Sequence, residues 1–193
     1  MKTIESTVYV MLVNKIPFMI SLGKYMKFTT IKNVGDQKAA TILKSLQSIK
    51  SVCTNKNIFI TTLYRDNKFE VLRDALKDEG ITLNTTGDNE QVPHIERQIK
   101  VVKELVRSTQ NSLPYKKSPN RMISCMVGNA VFWINAIPVN SGTLCTISLQ
   151  TLMTGTTIYF KKHCKINFGA YTEAHKTNFH PTPCNPALNL ISA

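Results

Sequence analysis

Acidic residues are scarce in this chain. Asp and Glu total 12 against 24 Lys and Arg, which leaves a formal charge of +12 over 193 residues. An imbalance of that size favours polyanionic partners, because each phosphate contact releases condensed counterions. Paired cysteines are also missing. Cys53, Cys125, Cys145, Cys164 and Cys184 are odd in number and widely spaced, which argues against a disulfide framework and for a reducing compartment. No long apolar run is present. The stretch Val8 to Val13 is broken by Asn14 and Lys15, whereas a signal sequence needs about 7–15 apolar residues and a membrane span about 20. A soluble, intracellular protein is expected. Neither a phosphate-cradling glycine loop nor a nucleophile elbow can be found, so the sequence offers no basis for P-loop or α/β-hydrolase chemistry. His163, Cys164, His175, His180 and Cys184 gather toward the end of the chain, but without the close cysteine pair that usually marks a zinc site. What is present is an ordinary apolar fraction of 42%, enough for a packed core and against wholesale disorder.

The apolar pattern divides the chain into elements. Thr7 to Val13 reads as a buried strand, Asn14–Lys15 as a turn, Pro17 to Leu22 as a second strand and Met26 to Ile31 as a third. The period then changes. Ala39, Ile42, Leu43, Leu46, Ile49 and Cys53 recur at helical spacing after Asp36, a candidate N-cap. Ile58 to Leu63 follows as a β-rich strand, and strand–helix–strand order implies a parallel crossover. A short helix carrying Phe69, Leu72 and Leu76 ends at Gly80. Ile81 to Asn84 gives a fifth strand. A long helix from about Val92 to Thr109 places Ile95, Ile99, Val102 and Val106 on one face, and another apolar helix runs from about Pro119 to Ala136. Phe132 and Trp133, within it, read as core. The order predicts an α/β domain over residues 1–137, a mixed five-stranded sheet flanked by helices, with an irregular extension over 138–193.

In open α/β sheets, sites form at the carboxyl ends of strands. Asp66 stands just past the fourth strand, and Glu96 in the first turns of the long helix. Two carboxylates from neighbouring elements can converge on Mg²⁺, which prefers a few carboxylates plus water and substrate phosphate. Taken alone, Asp66 also reads as a helix cap and Glu96 as a surface partner of Lys100.

The stretch RDNKFEVLRDALKDEGITLNTTGDNEQVPHIERQIKVVKELVR resembles the integrase core of copia-type retroelements. In those proteins an Asp-Asn or Asp-Gly turn follows the central strand, and a Glu-Arg pair opens the helix that lies along DNA. The blocks MLVNKIPF, LPYKKSPNRMI, NAVFWINAIPV and KKHCKINFGAY extend the resemblance from about residue 8 to about 171. It implies a ribonuclease-H-like fold, Mg²⁺- or Mn²⁺-dependent phosphoryl transfer, DNA as partner (element ends and target), and a possible homodimer. It implies further a location in the nucleus or a cytoplasmic virus-like particle, for a chain made alone or cut from a polyprotein. Asp66 then matches the second catalytic Asp and Glu96 the catalytic Glu, as metal ligands, although their spacing is shorter than the common retroviral one.

The same resemblance locates a missing acid. The family's first Asp lies mid-strand, a few residues before a block that here reads LVNKIPF, and counting back reaches Tyr9. A phenol is a poor Mg²⁺ ligand at neutral pH. Glu5 shares the strand face of Tyr9 by parity, but four strand residues span about 13 Å, too far to serve the same ion. The expectation is an integrase core with weak or absent metal binding and impaired catalysis. The alternative is a non-catalytic nucleic-acid-binding or assembly module that retains the fold. Arg97, Lys100, Lys103 and Arg107 form a basic stripe on the long helix, and Lys116, Lys117 and Arg121 continue it. The resemblance implies that this helix approaches DNA through sequence-independent phosphate contacts.

Overall fold

A computed structural model describes residues 2–65, 67–85, 93–138 and 146–170. Five strands form one sheet in the order β3-β2-β1-β4-β5: β1 Lys2–Val13, β2 Ile16–Gly23, β3 Thr29–Asn33, β4 Ile58–Arg65 and β5 Thr82–Thr85. The first three pair antiparallel. β1 with β4 and β4 with β5 pair parallel. This is the mixed sheet that the element order predicts.

The first hairpin turns through Asn14 and Lys15, both at positive φ (48° and 67°). A two-residue turn with both central residues left-handed matches the twist of the flanking strands, and asparagine tolerates that backbone better than most residues. The third strand differs from the sequence reading. It starts at Thr29, because Lys27 takes φ 54° in the turn before it. Nor does Asp36 cap the first helix. Helix α1, Ala39–Thr54, begins after Lys38 with no side-chain cap, and Asp36 pairs instead with Lys38 at 3.5 Å.

Strand side chains alternate between two faces, and each face has its own core. Val8, Met19, Ile60 and Leu63 pack with Ile42, Leu46 and Ile49 of α1, and with Phe69, Leu72 and Leu76. The last three belong to a 3₁₀ turn, Asn67–Leu72, and to helix α2, Arg73–Asp78. Gly80 follows at φ 74°, the left-handed stop expected of a C-cap glycine. On the opposite face, Met11, Phe18, Ile20 and Leu22 meet Ile95, Ile99, Val102 and Val106 of helix α3, Pro93–Ser112. Ile123, Met126, Val127, Ala130 and Val131 of helix α4, Asn120–Ala136, complete that layer.

A buried asparagine locks the second layer in place. The Thr29 N–H donates to Asn135 Oδ1 at 3.0 Å, and Asn135 Nδ2 donates to the Thr29 carbonyl at 2.7 Å. Gln98 Nε2 of α3 donates to Thr29 Oγ1 at 3.0 Å. Both helices therefore grip the first residue of β3.

The described part of the stretch expected to be irregular contains two short helices, α5 Leu149–Thr154 and α6 Phe160–His163. Met153 enters the first core and Phe168 borders the second. Phe132 and Trp133 are half-buried, not wholly core; Trp133 stacks on Phe160 with centroids 5.9 Å apart. Gly169, at φ 78°, lies so close to the α3–α4 connection that an added Cβ would run into Leu113, with Met122 and Tyr115 beside it. No helix among the described residues is long and apolar enough to cross a membrane.

Candidate active site and nucleic-acid interface

Tyr9 lies in the middle of β1, paired with Ile20 of β2. Its parity with Met11 turns it toward the α3–α4 layer, and it is 39% exposed. The parallel register with β4 runs to Thr7 opposite Tyr64, two residues short of Tyr9. Asp66 follows the last residue of β4 in sequence and lies outside the described residues. Glu96 is exposed in the first turn of α3, beside the buried Ile95. α3 packs across β1 and β2, so Tyr9 and Glu96 belong to the same side of the sheet. No hydrogen bond joins them among the described residues.

Glu5, the other acid on β1, is already engaged. The register with β4 shifts beside it, Ile4 facing Ile60 and Glu5 facing Thr62. The Glu5 carboxylate accepts from Lys24 Nζ at 2.7 Å and from the Tyr64 hydroxyl at 3.2 Å. The Lys24 hydrogen bond holds the Glu5 carboxyl below its ordinary range, and the same bond raises Lys24. Lys24 also lies over the Tyr64 ring, 5.4 Å from its centroid.

The basic residues fall into two groups. At about 100° per residue, Glu96, Lys100, Lys103 and Arg107 share one flank of α3. Arg97 is turned a further ~60° away from Lys100. It lines a cavity of about 340 Å³ with Thr7, Lys24, Lys27, Tyr64, His94 and others. The predicted stripe is thus split at its first member. Lys103 and Arg107, in contrast, converge with Lys116 and Lys117 on a single groove of about 660 Å³, beside Asn14 and Ser118. Four of the seven basic residues singled out in the sequence are therefore brought together. Spacing on α3 could not reveal this, since the hairpin turn and the α3–α4 connection are far apart in sequence. Lys24, Lys27, His94 and Ser118 carried no sequence signal of their own.

Among the described residues, no three His, Cys, Asp or Glu side chains stand close enough to share a metal ion. Cys164 is exposed, while His175, His180 and Cys184, like Cys145, lie outside the described residues.

Sheet order, two helical layers and the position of α3 across β1 define a ribonuclease-H-like α/β fold. Among solved structures, the chain is similar to the catalytic core domain of BIV integrase. The match has a TM-score of 0.54 at 12% identity and covers 78% of this chain and 93% of that one. At that identity the likeness is one of fold. No protein-family model matches the sequence, and no curated protein does.

Proposed function

We propose that this chain is a DNA-binding integrase-type core, of copia-type retroelement origin, whose phosphoryl-transfer chemistry is impaired. The observation that carries this reading is a contrast on one side of the sheet. The β1 position matched to the first catalytic Asp holds Tyr9, while Lys100, Lys103 and Arg107 stand exposed beside Glu96 on α3.

The donor set does not fit a two-ion centre. A phenol at Tyr9 and carboxylates at Asp66 and Glu96 leave it one carboxylate short, and Glu5 is held by Lys24. A pair of Mg²⁺ or Mn²⁺ ions clamps the attacking and leaving oxygens of a phosphodiester only when both are firmly held, so no catalytic step is assigned. The cations of α3 would still bind duplex phosphates irrespective of sequence. In function this approaches a non-catalytic binding module that has kept the fold.

The test is Mn²⁺ titration and DNA end joining by the purified chain and by Tyr9→Asp. Wild type should join no ends and bind Mn²⁺ weakly. Tyr9→Asp should tighten ion binding by about tenfold or more, equivalent to ~1.4 kcal/mol. Robust end joining by wild type would overturn the reading.

A further inference from the structure

The groove between the β1–β2 turn and the α3–α4 connection is more than a charged face. Lys103, Arg107, Lys116 and Lys117 line it, and no carboxylate does. None of the four has an ion-pair partner among the described residues. Like charges gathered around one concavity repel each other and focus a positive potential into it.

A second observation is independent of charge. Ser118 also lines the groove, and its Oγ is buried with no hydrogen-bond partner among the described residues. Burying a hydroxyl without a partner is costly, and turning the Ser118 side chain into the groove would let a guest's acceptor relieve that cost. Past Pro119, the residue after Ser118, α4 begins at Asn120 with no side-chain cap and no acid in its first turn. Its leading N–H groups are left without helical acceptors, and its positive end favours an anion. The groove volume, about 660 Å³, lies in the range of ordinary ligand pockets.

We infer that this groove is a built phosphate site. Lys116, Lys117, Lys103 and Arg107 supply the charge, and the Ser118 hydroxyl, turned into the groove by the guest, donates to a phosphate oxygen. The ligand chemistry is a run of closely spaced phosphates. It can come from a nucleic-acid backbone, in which case the inference extends the DNA-binding reading, or from a small soluble polyphosphate, in which case it stands apart from it.

The experiment is calorimetric titration of the full chain at low salt with two probes, sodium tripolyphosphate and a short DNA duplex. Wild type is compared with Ser118→Ala, Lys116→Gln/Lys117→Gln and a control, Lys44→Gln/Lys77→Gln, on the other face of the sheet. Thermal unfolding without ligand establishes that each variant folds. The double groove variant should weaken binding of at least one probe by about tenfold. Ser118→Ala keeps every charge and should weaken it by about threefold or more. The control should bind like wild type.

Groove-dependent binding of duplex alone supports the site and identifies a backbone as the source. Groove-dependent binding of tripolyphosphate alone supports the site and identifies a small polyphosphate; the DNA reading then falls unless Lys100→Gln weakens duplex binding. If both groove variants bind each probe as wild type does, the phosphate site is overturned; should Lys100→Gln then still weaken duplex binding, the DNA reading survives without it.

Discussion

Tyr9 and Glu5 show how single side chains decide what a strand can do. By parity both point to the face that α3 crosses, yet one has no carboxylate and the other is committed to Lys24 and Tyr64. That commitment has a pH signature. Glu5 titrates below its ordinary value of 4.5 in the folded chain. The stability this contributes is present above pH 4.5 and is lost as pH falls through the lowered value. Lys24 is raised from 10.5, so its contribution is present below 10.5 and fades as pH rises through the raised value. Glu5→Gln should flatten the stability profile at both ends, read as thermal midpoints between about pH 3 and 11; unchanged slopes would show that the pair is not formed in solution. Of these residues, only the missing acid is legible in sequence, because it sits inside a recognisable block. Lys24 is hidden because its partner lies across a strand pair.

The helices are the most legible elements. The sequence period assigns Ile95, Ile99, Val102 and Val106 to the inner face of α3, and those four are buried. A period of 3.6 with charged intervening residues leaves little choice of face. Asn135 is not legible, since nothing in an apolar helix announces which polar residue will be turned inward. Its partners are the two backbone groups of Thr29. Asn135→Ala should leave both buried and unpaired, costing about 2–3 kcal/mol by urea unfolding; a loss below about 0.5 kcal/mol, the usual range for surface changes, would mean that the clamp does not hold β3. The flank of α3 makes a different prediction. Lys100→Gln, Lys103→Gln and Arg107→Gln together should lower the salt slope of duplex binding by about 0.9 for each phosphate no longer neutralised, with thermal stability nearly unchanged. A slope equal to wild type would detach α3 from DNA.

For the whole molecule, the parallel crossover follows from the sequence because a parallel strand needs an intervening helix, and α1 provides it; that β4 lands beside β1 does not. The groove is not legible at all, because it exists only where distant segments meet. The expected boundary at residue 137 falls where periodicity fades; beyond it Met153 enters the first core and Phe168 borders the second. Short polar segments can join a core without showing a period. Gly169 gives that packing a wider consequence. It fits against Leu113, Tyr115 and Met122, which flank the lysines and the serine of the groove. The tail thus braces the connection from behind. Gly169→Ala, far along the chain from Lys116 and Lys117, strains the backbone at φ 78° and is therefore expected to lower stability and to change ligand affinity with it. In a lineage accumulating substitutions, binding would be tuned, or lost, from a residue that touches no ligand.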